Sequence, residues 1–325
     1  MRKFYFTIFL VLVMILSKPL VMLADINEDY DEIARYVSWS DIEGLQEAIK
    51  KNKKAVNHNN GAIILEYANY PKDPQILKLL LDNGATTNAL EANTNKNALH
   101  ILLGEARDYN LDIIVPSVKM LVDKGINVNQ QESNYGYTPL HIAAKSDYLG
   151  KEIFEILLSA KNVDVNIKCN PINEYEDGAW TPIFFVVSRP NDPGGTNKDI
   201  VKLLIDKKAD VKATTLDQSP VIKRKWTLLH ICAETKNDQV DVFKVLFENG
   251  CSDYLEAQTT NEMLSPLHVA MLSESPRICQ YLLEKGASYE SKNSDGVTVL
   301  RHAKGAGTDK HLKSAEVVIK WAKEH

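Results

Sequence analysis

Thr138-Pro139-Leu140-His141-Ile142-Ala143-Ala144 is the stretch on which the fold turns. Variants of it recur along the chain as Asn97-Ala98-Leu99-His100-Ile101, Trp180-Thr181-Pro182-Ile183-Phe184, Thr227-Leu228-Leu229-His230-Ile231-Cys232-Ala233 and Ser265-Pro266-Leu267-His268-Val269-Ala270. Each is followed by a second apolar stretch of helical design: Val118 to Val122, Ile153 to Leu158, Ile200 to Ile205, Val242 to Phe247 and Ile278 to Leu283. Short turns close the units, among them Asp123-Lys124-Gly125, Glu248-Asn249-Gly250-Cys251 and Glu284-Lys285-Gly286-Ala287. A chain that repeats one helix-turn-helix design grows by stacking, so its 325 residues need not divide into two conventional domains.

The histidine slot of the motif falls at positions 65, 100, 141, 184, 230, 268 and 301, with gaps of 35, 41, 43, 46, 38 and 33. On these motifs and this spacing the chain resembles the ankyrin-repeat family, whose unit of about 33 residues is a β-turn finger followed by two antiparallel helices. The resemblance covers nearly the whole chain beyond its N-terminus. It implies an all-α solenoid of stacked helix pairs with projecting β-turn fingers. The gaps in excess of the family period place insertions at Gly104 to Pro116, Ile167 to Asp177, Asn191 to Asn197 and Ala213 to Arg224. Approximate units are 28–57, 59–89, 94–129, 134–166, 177–212, 223–254, 262–290 and 295–325, within an array over 28–325. The first and last are caps, the last closed by an amphipathic helix from Leu312 to Ala322.

The resemblance also assigns roles. Thr138 caps the first helix, Pro139 fits its first turn where no N–H is needed, and Leu140 packs in the core. Ala143 and Ala144 let neighbouring helices approach, so the bulkier Val186-Val187 and Cys232-Ala233 predict local spreading of the stack. Gly125, Gly250 and Gly286 stand where a helix ends in a left-handed residue. The recurring His ties loop backbone together, and successive slots lie one repeat apart, too far for shared metal ligands at about 2 Å. No metal and no cofactor is implied.

For function, the informative position is the one before the Thr slot, which in such arrays points along the finger toward the concave side. It reads Gly61, Lys96, Tyr137, Trp180, Trp226, Leu264 and Val297. Tyr137, Trp180 and Trp226 form a candidate partner-binding stripe, since Tyr and Trp often carry interface energy. The alternative is that each ring is covered by the finger insertion beside it.

The N-terminus reads as an export signal over 1–24: Arg2 and Lys3 precede an apolar run from Phe4 to Leu16, too short to span a membrane comfortably, with a cut after Ala24. The alternative is an uncleaved anchor over Phe4 to Ala24. After removal no stable membrane span is expected. With 44% hydrophobic and 25% charged residues the chain is of globular type, and its net charge of −5, made more negative by loss of Arg2, Lys3 and Lys18, excludes nucleic acid as the expected partner. Lys223-Arg224-Lys225 reads as a solvated loop. The four cysteines contain no CxxC pair and read as buried free thiols. No HExxH, GxSxG or phosphate-binding loop occurs, so no catalytic residue is assigned.

The expectation is an exported protein-binding scaffold, secreted or periplasmic, acting through the concave face on a protein partner. A bacterial effector, envelope inhibitor or chaperone is favoured by the absence of an Asn-x-Ser/Thr acceptor beyond the signal. A eukaryotic secretory-pathway scaffold is the alternative, and an enzyme housed in the insertions a distant one.

Overall fold

The computed structural model describes residues 26–170, 179–190, 192, 195–215, 225–235, 237–306 and 313–325. The expected signal over 1–24 and parts of the finger insertions lie outside them. Among the described residues all regular structure is helical, apart from isolated bridges joining Thr214 to Thr227 and Lys292 to Thr298.

The chain forms two compact units, Met1–Asn127 and Val128–His325. In the first, helical residues 26–39 precede Ile42–Lys51, Ile63–Asn69 precedes Pro74–Asp82, and Ala98–Gly104 precedes Leu111–Asp123. In the second the pairs are Pro139–Lys145 with Lys151–Leu158, Pro182–Ser188 with Asn197–Asp206, Leu228–Glu234 with Val240–Glu248, Pro266–Leu272 with Pro276–Glu284, and Val299–Ala306 with Lys313–Glu324. Within each unit the first helix of one pair packs on the first helix of the next, and second helices pack likewise.

The second helices bury one stripe and expose the other. Ile76, Leu77, Leu80 and Leu81 are the buried stripe of Pro74–Asp82, for example. The short first helices are enclosed from both sides, and Val186, Val187, Cys232 and Ala233 are buried as completely as Ala143 and Ala144. The anticipated insertion at Gly104 to Pro116 is different in kind: from Leu111 it is helix, with Pro116 inside it. Ser117 beside that proline has its hydroxyl donating to Ile113 O at 2.7 Å and meeting Tyr67 Oη at 2.7 Å. The turn glycines Gly125, Gly250 and Gly286 have φ of 78°, 114° and 91°, while Lys208 takes the left-handed conformation at the end of Asn197–Asp206 with φ 69°.

The start of four first helices, at Asn97, Thr138, Thr227 and Ser265, is fixed by a reciprocal cap. At Thr138 the backbone N–H donates to His141 Nδ1 at 3.1 Å, and the His141 N–H donates back to Thr138 Oγ1 at 3.4 Å. Ser265 and His268 repeat the arrangement. Because a backbone N–H can only donate, Nδ1 must hold a lone pair and the ring proton sits on Nε2. That proton is used across the repeat boundary: His141 Nε2 donates to Trp180 O at 3.0 Å, and His230 Nε2 faces Ala257 O at 3.1 Å and Leu264 O at 3.0 Å. Where Phe184 replaces the histidine the cap is incomplete, and the buried Thr181 hydroxyl has no hydrogen-bond partner.

That contrast yields a prediction. Thr138→Val removes a used hydroxyl and should cost about 1 kcal/mol, whereas Thr181→Val removes an unused one and should leave stability unchanged or raised. Thermal melting of the two variants distinguishes them, and equal losses would mean that Thr181 is capped in solution.

Candidate finger surface

The fingers are closed by a repeated pair of bonds at their base. In the 126–138 finger Glu132 N–H donates to Tyr137 O at 3.0 Å, and Tyr137 N–H donates to Glu132 Oε1 at 3.2 Å. Thr215 with Trp226, Thr259 with Leu264 and Asn293 with Val297 make the same exchange, each using its side-chain oxygen. Cys169 holds this place in the fourth finger, where its N–H donates to Trp180 O at 3.0 Å. The residue that turns the chain back, one before the aromatic slot, is left-handed in five fingers: Asn95, Gly136, Ala179, Met263 and Gly296. At Gly136 a side chain would strike Asn170, whose N–H donates to Tyr135 O.

The rings of the expected stripe are turned largely inward, after a left-handed residue at Tyr137 and Trp180 and without one at Trp226, which corrects that stripe. Tyr137 is only 4% exposed and Trp226 only 5%. Tyr137 stacks on His141 with centroids 5.8 Å apart, Trp226 tilts over His230 at 6.0 Å, and Trp180 lies over Phe184 at 5.7 Å. Each ring therefore covers the residue four positions on, and two of the three present almost no area to a partner. Trp180 alone is half-exposed.

Tyr137 and Trp180 nevertheless come together through Phe185, at centroid distances of 5.7 Å and 5.0 Å. Tyr135 extends this cluster outward, stacking on Tyr137 at 5.3 Å with 43% of its surface exposed. Lys145 completes it: its ammonium donates to Tyr137 Oη at 2.8 Å and lies 4.3 Å from that ring's centroid. The result is a continuous aromatic surface over two repeats, half-exposed at Phe185 and Trp180 and open at Tyr135. Tyr135 and Phe185 escape sequence reading because neither occupies the aromatic slot. The alternation Tyr135-Gly-Tyr137 across a turn glycine is the signal that marks the first of them.

Two further sets of polar residues hold the surface rigid. Asn129 Nδ2 donates to Asn162 O at 2.6 Å while its Oδ1 accepts from Asp164 N–H at 2.9 Å, and Asn166 binds Lys208 O and Asp210 N–H in the same way. On the opposite edge the buried Arg189 reaches back one repeat, with Nε donating to Ala144 O at 2.7 Å, Nη2 to Ala143 O and Nη1 to Leu149 O at 3.2 Å. Burial pulls its guanidinium down to about 10, opposed by Asp192 and Asp147, so it stays charged at neutral pH. Its charge is balanced by the carbonyl end of the Pro139–Lys145 helix.

All four cysteines are buried and free. Burial pushes the Cys251 and Cys279 thiols up to about 12 and raises Cys169 and Cys232 as well, leaving no thiolate nucleophile among them. Among the described residues no cluster of three His, Cys, Asp or Glu could hold a metal ion, and no helix is long and apolar enough to cross a membrane.

The model of the ankyrin-repeat family matches residues 64–169 and 194–293, and the chain belongs to that family. Its fold is similar to that of the human ASB11 ankyrin repeat domain, with a TM-score of 0.56 at 20% identity, covering 79% of this chain and 96% of that one. It is also similar to the ankyrin repeat domain of Bcl-3, a member of the IkappaB protein family, with a TM-score of 0.51 at 17% identity over 90% of this chain and 97% of that one. No curated protein is matched by the sequence. The repeats point to a protein-binding scaffold, and no catalytic family is indicated.

Proposed function

We propose that this chain is an exported scaffold that binds a protein partner through its fingers and first helices, with the aromatic surface around Tyr135, Trp180 and Phe185 as the anchor. The observation that carries this is the continuity of those rings over two repeats, fixed from beneath by Tyr137 and Lys145. Rigid aromatic area costs little entropy to bind. Export rests on the Arg2-Lys3 and Phe4 to Leu16 pattern, and a bacterial secreted or periplasmic setting accords with the missing glycosylation acceptor.

The double variant Tyr135→Ala with Trp180→Ala should capture its partner from extracellular or envelope extracts at least tenfold more weakly than wild type, with its melting temperature little changed. Equal capture by both proteins would place the interface elsewhere. For export, Leu12→Arg puts a charge into the apolar run at a cost of about 2.5–3.5 kcal/mol. The variant should remain in the cytoplasm, and unchanged extracytoplasmic yield would refute the signal.

A further inference from the structure

The edge of the first unit away from its fingers carries a feature that the finger surface does not absorb. The junctions between the two helices of its repeats carry Trp39, Tyr70 and Tyr109, which are 66%, 65% and 84% exposed. They stand on one edge in three successive repeats: Trp39 ends helical residues 26–39, Tyr70 follows Ile63–Asn69, and Tyr109 lies in the 108–110 turn between Ala98–Gly104 and Leu111–Asp123. The repeats behind them are stacked directly, and Lys72 Nζ of the second loop donates to Ser38 O of the first at 3.1 Å. Large apolar side chains have no folding reason to stand in water on one edge three times running.

The charges around these rings say what would cover them. Asp41, Glu43, Glu105, Asp108 and Asp112 are exposed on the same loops and helix starts, and none has an ion-pair partner among the described residues. Of the cations near this edge, Arg35, one turn before Trp39, is exposed and outnumbered by these carboxylates, and the other two are turned into the backbone. Lys72 is held by Ser38 O, and Arg107 Nη1 donates to Gly104 O at 3.1 Å and Ala106 O at 2.7 Å. No cation lies over the Trp39, Tyr70 or Tyr109 rings among the described residues, although Lys145 and Lys285 do cover rings in the second unit. Ring faces and carboxylates without cations match a guanidinium, which stacks on the first and pairs with the second. An anionic lipid surface would be repelled by the same carboxylates.

We infer that this loop edge is a second docking surface, separate from the fingers, and that its occupant is an arginine-rich segment of another protein laid across successive repeats. The test uses the full chain and a labelled octa-arginine peptide. The variant Trp39→Ser, Tyr70→Ser, Tyr109→Ser keeps every charge and should bind the peptide at least tenfold more weakly. The variant with Phe at all three positions keeps the ring faces and should bind close to wild type, which also guards against loss through misfolding. Tyr135→Ala on the finger surface should have no effect, and raising salt to about 0.5 M should weaken wild-type binding. Equal binding of octa-arginine by wild type and the Ser variant would overturn the inference. So would loss through Tyr135→Ala, or ring-dependent binding of mixed phosphatidylcholine and phosphatidylglycerol vesicles without ring-dependent binding of the peptide.

Discussion

Arg189→Leu should destabilise the fold by about 3 kcal/mol or more, because it leaves the carbonyls of Ala144 and Leu149 without their arginine donor at about 1–3 kcal/mol each, Ala143 O keeping the Ser146 N–H. The guanidinium is the shared partner of Ala143 O, Ala144 O and Leu149 O, and it lies 5.5 Å from the Phe154 ring. Leucine would fill part of the space and satisfy none of the oxygens. Lysine would keep the charge without the planar fork, and should recover less than half of the loss. The measurement is a urea unfolding midpoint for each variant. A loss below about 1 kcal/mol for Arg189→Leu would mean that water replaces the arginine and that the clamp is not structural.

A second large effect is expected on acidification. Burial pushes His230 and His268 down to about 4, against a usual 6.5, with backbone carbonyl bonds opposing the shift at His230. The folded rings resist protonation because Nδ1 already faces an N–H, so a second proton would set donor against donor. The unfolded chain takes up protons between pH 6.5 and 4 that the folded chain does not. Stability is therefore full above pH 6.5 and falls as pH drops toward 4, by on the order of 3 kcal/mol for His230 at 1.36 kcal/mol per pH unit. The lowered carboxyls of Asp29 and Asp82 act only below that window. Melting temperatures across pH 7 to 4.5 check this. His230→Gln should melt lower at pH 7 but with a shallower decline, and a decline as steep as wild type would assign the effect to other groups.

The helix pairs, turn glycines and tying role of the histidines were legible because periodicity and caps are local. The covering of the aromatic slot was not legible from the residue before it, which is left-handed at Tyr137 and Trp180 but not at Trp226. In Lys96, Tyr137 and Trp180 the identity of that neighbour varies from Asn to Gly to Ala, so no single residue type announces the inward turn. The four-residue interval from Tyr137 to His141 and from Trp226 to His230 did carry the information, but it crosses the cap and so does not look helical. Arg189 was hidden for another reason: at the end of a helix a basic residue is usually solvated, whereas here it is buried against carbonyls of the preceding repeat. The Val-Asn pairs at 128–129 and 165–166 are the sequence trace of the asparagine ladder, legible once the spacing of finger and turn is known.

Several side-chain bonds to backbone carbonyls run between repeats in opposite senses on the two edges, while the Asp164 and Asn170 N–H groups of the finger edge donate back to the preceding repeat. His141, Asn129 and Asn166 donate toward the following repeat, whereas Arg189, Gln239 and Ser275 donate to carbonyls of the preceding one. A chain emerging from a ribosome or threading a translocation channel meets these two sets at different times. At about 5–20 residues per second, the finger edge of a new repeat waits several seconds for its acceptors to be made, while its loop edge can latch at once onto what has already emerged. The His141, Asn129 and Asn166 bonds can therefore close only once the following repeat has emerged, whereas the Arg189, Gln239 and Ser275 bonds need nothing beyond their own repeat and the one before it.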